Sequence, residues 1–136
     1  MTALIQECQD ELVSQLGSMA TPNIVYGYRT IPNKQANAVM VTYEGGEPTP
    51  LTIEGQRRQY DFIILLTSQY DMTEASQEAA EQSLNAMENE ALTILAPLRN
   101  TYWKKITYPR RTNRPPSPPA LKGIRVGQIY VRLHLA

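Results

Sequence analysis

The segment "RRQYDFIILLTSQ", residues 57–69, limits the fold more than any other in this 136-residue chain. Phe62, Ile64 and Leu66 alternate with Ile63 and Leu65, so a strand here is apolar on both faces. Cover is therefore needed on each side, and a helix or a neighbouring subunit can supply the second. The run "FIILL" is also the longest apolar block and is far too short to cross a bilayer.

The next segment supplies a helix. Residues 71–98 carry Ala80, Leu84, Met87, Ala91, Leu95 and Leu98 at steps of three and four, with Glu78, Glu81, Gln82, Asn85, Glu88 and Asn89 opposite. Asp71 and Glu74 fit an N-terminal capping box, and Pro97 ends or kinks the last turn. About 25 residues at 1.5 Å each reach roughly 37 Å, enough to cross a small sheet. A first helix is predicted over 2–16 from Leu4, Cys8, Leu12 and Leu16, closed by Gly17, with Gln6, Glu7, Gln9, Asp10 and Glu11 on a wet face. Further strands are predicted near 24–30, 38–43, 50–54, 103–108 and in "GIRVGQIYVRLHLA". In that last segment Ile129, Val131, Leu133 and Leu135 share one face, while Ile124 and Val126 have the other parity. A bulge or sharp twist around Gly127 is expected. The expected fold is α+β: a mostly antiparallel (mixed) sheet of about five or six strands, with an N-terminal helix and one long helix packed on it.

Hydrophobic content of 42% and charged content of 19% suit one globular domain over 1–136 and exclude a wholly disordered chain. The start "MTALIQECQDEL" has no basic region followed by an apolar block, so no signal peptide is expected. The single cysteine, Cys8, lies on an apolar helix face and reads as core. The single histidine, His134, falls on the polar face of a strand and reads as a surface or interface residue. One His and one Cys cannot form a structural zinc site, and no phosphate-cradling glycine loop or calcium loop is present. The carboxylate pairs Glu74/Glu78 and Glu78/Glu81 read as solvated helix surface. No catalytic residue, metal or cofactor is expected, and the chain is not expected to be an enzyme.

A net charge of zero conceals a division. Residues 1–98 hold four basic and thirteen acidic side chains, net −9; residues 99–136 hold nine basic and no acidic ones, net +9. Either the two parts neutralise one another within the molecule, or they form complementary surfaces. The basic part includes a Pro/Arg-rich arm at about 109–122, with five prolines and three arginines. Lys104, Lys105, Arg110, Arg111, Arg114, Lys122 and Arg125 are the candidate contact residues. Asp71, Glu74, Glu78 and Glu81 are the candidate acidic counter-surface. Tyr102, Trp103 and Tyr108 interleave with the cations, which keeps a small nucleic-acid-binding module open as an alternative. No helix-turn-helix, zinc-finger or RNA-binding signature accompanies them.

The order "ALIQECQDELVSQL", "PNIVYGYRTIP", "NAVMVTY", "YDFIILLTSQ", the long Ala/Glu helix and "GQIYVRLHLA" resembles the tail terminator and tail-completion proteins of long-tailed bacteriophages. That resemblance spans nearly the whole chain; the Pro-rich arm departs from it in length and stiffness. It implies a structural virion protein, assembled in the host bacterial cytoplasm and placed at the tail–neck junction. Such proteins form closed rings, usually hexamers, that stop tail-tube growth and join the tail to the head. The implied partners are further copies of the chain, the tail tube protein and a neck or head connector protein, with DNA passing through the lumen and no membrane. A head-closure or neck connector role is the nearest alternative. Under the resemblance, the arm's cations grip an acidic neighbour or face the lumen.

Overall fold

In the computed structural model the described residues are 5–22, 24–27, 37–45, 59–71, 73–96, 103, 105–114 and 123–134. They form α1 (Ile5–Leu16), β1 (Ile24–Tyr26), β2 (Asn37–Gly45), β3 (Gln59–Gln69), α2 (Glu74–Leu95), β4 (Lys105–Thr107) and β5 (Ile124–His134). The strands make one sheet in the order β1-β2-β3-β5-β4, with β1 parallel to β2 and all other pairs antiparallel. The fold is α+β with a mixed sheet, as the sequence predicts. The predicted strand at 50–54, residues 28–30 of the first strand and Leu135 lie outside the described residues.

Both helices pack on one face of the sheet. Register pairs share a face, so Val39, Leu66 and Gly127 form one row and Val41, Ile64 and Ile129 the next. Against these rows lie Cys8, Leu12 and Leu16 of α1 and Leu84, Met87, Ala91 and Leu95 of α2, all fully buried in one cluster. Ile63 and Leu65 point to the opposite face and are half-buried. Among the described residues neither helix covers that second face. Ala38, Met40 and Val126 are nevertheless buried there.

Three local expectations need correction. The cap of α2 is Thr73, whose extended backbone and hydroxyl receive the Ser76 N–H at 3.2 Å. Asp71 cannot serve as that cap, because its carboxylate accepts from the Thr73 N–H at 2.8 Å and from the Thr73 hydroxyl at 2.6 Å. Second, β5 has no bulge at Gly127; its eleven pairs with β3 run without a break from Gln69↔Ile124 to Gln59↔His134. The register shift falls instead in β2, between Tyr43 and Gly45. Val126 is buried on the helix-free face, and a charged side chain completes the row above Gly127, as described below. Third, Gln9 belongs to the packing rather than to the wet face. Its amide donates to the Gly27 carbonyl at 2.6 Å and the Val41 carbonyl at 2.9 Å, fixing α1 to the end of the β1–β2 seam.

Candidate interaction surface

After β4 the chain leaves the sheet edge and returns. Asn113 pairs with Gln128 through two backbone bonds of 3.1 and 3.0 Å. Residues 108–112 therefore bow out beside the shorter stretch 129–131, since Thr107 already pairs with Arg132. The bow is pinned at both ends by β pairing. Tyr108 is 41% exposed and is the one exposed large hydrophobic side chain among the described residues. Pro109, Arg110 and Arg111 beside it are exposed too, as is Lys105 in β4.

Arg114 turns back under α2. Its guanidinium donates to Glu88 at 2.9 Å and to Asn85 at 3.1 Å, and its Nε lies 3.6 Å from Glu81. Residues 81, 85 and 88 are spaced i, i+4, i+7, so they form one stripe on the helix. The missing side chain at Gly127 makes room for this arrangement: a Cβ there would come within 3.1 Å of Arg114 Nη1. Arg125 of β5, paired across to Ser68 of β3, donates to Glu81 at 3.3 Å and stacks over the Tyr70 ring at 5.7 Å. Two of the predicted contact cations thus pair within one molecule with Glu81, one of the four predicted acids, and Arg114 also with Glu88.

The other predicted residues are placed differently. Arg110 lies over the Tyr130 ring at 5.0 Å and 3.9 Å from Glu44, with its side chain 66% exposed. Lys105 and Arg111 are exposed and make no ion pair among the described residues. Lys104 and Lys122 lie outside the described residues. Of the acids, Glu81 is shared by Arg114 and Arg125. Asp71 is held below the usual carboxylate range, chiefly by the Thr73 hydroxyl. Glu74 and Glu78 are exposed on the first turns of α2, again without an ion pair among the described residues. Trp103 is fully buried in the core cluster and cannot stack on a base, which removes one of the three aromatic residues the nucleic-acid reading used.

Several interactions carry no sequence signature. Arg132 grips Asp61 through two bonds, Nε to Oδ1 at 2.9 Å and Nη2 to Oδ2 at 3.2 Å. Glu90 collects the N–H of Ala20 at 2.7 Å, the N–H of Thr21 at 2.9 Å and the Thr21 hydroxyl, tying the turn after α1 to α2. His134 sits with Nε2 2.8 Å from the Thr107 hydroxyl and Nδ1 3.4 Å from the Gln59 amide nitrogen, bridging three strands. Among the described residues, no three His, Cys, Asp or Glu side chains are grouped to hold a metal ion, and no helix is long and apolar enough to cross a membrane. Glu88 is the member of the arginine site that its sequence position conceals. Its only signal is its place on the 81–85–88 stripe, together with a glycine inside a strand.

No protein-family model matches the chain, and no curated protein sequence matches it. Among solved structures it is similar to a protein chain in the virion of a native gene transfer agent particle. The two share 15% sequence identity and superpose with a TM-score of 0.55, over 91% of this chain and 83% of that one. At that identity the likeness is one of fold.

Proposed function

We propose that the chain is a structural protein of a phage-like virion, forming a ring at the end of the tail that stops tube growth and joins the tail to the neck. The observation that carries this reading is the fold shared with a chain of the gene transfer agent virion over nine-tenths of the sequence. The exposed surface is consistent with it. Among the described residues, acid without an ion pair on the start of α2 and base without one on the β4 edge sit at different places on the molecule, as a head-to-tail contact requires. A head-closure ring at the neck would share the same chemistry, and electron microscopy of particles labelled on this protein separates the two positions.

The test is the solution mass by light scattering at low and high salt, followed by negative-stain imaging. Closed rings, or rings that appear as concentration rises, are the expected outcome. A strict monomer that binds duplex DNA at low salt would overturn the reading in favour of a nucleic-acid module using the basic C-terminal third.

A further inference from the structure

Among the described residues, several charges are satisfied within the molecule. Arg114 and Arg125 are held by α2, Arg132 by Asp61, and Glu90 by the turn after α1. What is left over is therefore informative. Lys105 and Arg111 flank Tyr108 on the sheet edge, with Arg110 mostly exposed between them. Tyrosine and arginine are the side chains that most often anchor protein interfaces. The segment that presents them is held at both ends, by Lys105–Thr107 against β5 and by the Asn113–Gln128 pair, so docking orders little new backbone. The edge itself is short and carries a lysine, and Pro109 follows it, which disfavours extension of the sheet by a further strand. Recognition here is by side chains.

From these facts we infer that the Lys105–Tyr108–Arg111 edge docks onto the first turns of α2 of a second copy, against Glu74 and Glu78. The inference rests on the self-assembling ring proposed above and names its contact. Charge complementarity selects the occupant. Among the described residues Glu74 and Glu78 are the exposed acids of α2, they make no ion pair, and they stand one turn apart on the helix. The patch as a whole cannot close on Glu74 and Glu78 of its own chain, because Lys105 lies at the far end of β5. α2 starts beyond Gln69, at the end of the sheet where β5 begins, whereas β4 pairs with the last residues of β5. Lys105, opposite His134, lies ten residues along β5 from Ile124, roughly 33 Å at about 3.3 Å each, whereas Arg111, two residues before the Asn113–Gln128 pair, lies partway along the strand.

The experiment uses two variants of the full chain: Lys105→Glu with Arg111→Glu, and Glu74→Gln with Glu78→Lys. Each alone should need at least about tenfold more protein to assemble than the wild type, read by light scattering. Mixed in equal amounts, the two should recover assembly, because each reversed patch then faces an opposite charge on its neighbour. A folding defect in either variant cannot produce that recovery. Wild-type assembly by each variant alone, or no recovery on mixing, would overturn the docking pair while leaving the ring reading intact. A wild-type chain that stays monomeric and binds duplex DNA at low salt would overturn both. Loss of DNA binding in the Lys105/Arg111 variant with assembly unchanged would reassign the edge to a polyanion.

Discussion

The Arg114–Glu88 contact gives the sharpest test of how the basic third of the chain is used. Arg114→Met keeps most of the side-chain volume beside Gly127 and removes the charge; Glu88→Gln keeps shape and removes the partner. The bond is 2.9 Å long, between side chains only 25% and 22% exposed. A hydrogen bond to a charged group contributes about 1.5–3 kcal/mol, and partial exposure places this one near the lower end. Arg114→Met should lose about 1.5–2 kcal/mol, because Glu88 is left half-buried without its arginine, and Glu88→Gln about 1 kcal/mol, because Arg114 keeps Asn85 and Glu81. The double variant should lose less than the sum, with a coupling of about 1 kcal/mol. Urea unfolding followed by far-UV circular dichroism reads this as a midpoint lowered by about 1 M in Arg114→Met and by about half that in Glu88→Gln. The loss should be the same at low and at tenfold higher protein concentration, since the pair lies within one molecule. Additivity of the two substitutions within about 0.3 kcal/mol, or a loss that grows with protein concentration, would refute the intramolecular assignment.

Glu90→Gln should cost about 1–2 kcal/mol at pH 7, and the cost should shrink as pH falls below the ordinary glutamate range, measured by urea unfolding across pH. Burial raises this carboxyl, but the bonds from Thr21 and Ala20 outweigh it and the net shift is downward. A depressed folded value means the stabilisation is complete above the ordinary glutamate range and disappears as pH falls through the folded value. Cys8 is pushed up to about 11, first by burial and then by the Glu7 charge, so a disulfide reagent at pH 8 should leave the native protein unlabelled and modify it at once in urea. Thr73→Ala should lower stability by about 1 kcal/mol, and Asp71→Asn by less, because Thr73 holds the cap position; the reverse order would refute that assignment.

The parts of the fold legible in the sequence are those set by local periodicity. The stepping by four of Leu12 and Leu16, and by three and four of Leu84, Met87, Ala91 and Leu95, marks buried faces that the structure reproduces. The doubly apolar strand is central as its pattern requires, although both helices settle on one side of it. What was hidden depends on distant partners. The placement of β5 between β3 and β4 and the parallel pairing of β1 leave no local trace. Gln9 looks like any polar residue on a helix until Gly27 and Val41 bring their carbonyls to it. The broken parity of β5 was visible, but its cause was not. Arg114, thirteen positions earlier, occupies the space that Gly127 leaves empty. The −9/+9 division was plain from counting, and only coordinates separate charges satisfied at home from those left over.

The pairing of β3 with β5 also sets a timetable for synthesis. Its partners stand between 55 residues apart (Gln69 with Ile124) and 75 apart (Gln59 with His134). Contacts of such long range form late, because the intervening chain must be ordered before they are rewarded. While the ribosome is making α2, β3 has β2 on one side and an open, apolar edge on the other. α2 itself can shield one face of that strand as soon as it emerges, but the vacant edge closes only when β5 arrives. Until then the nascent chain carries its most aggregation-prone surface uncovered, which makes this interval the one in which a chaperone has most to protect.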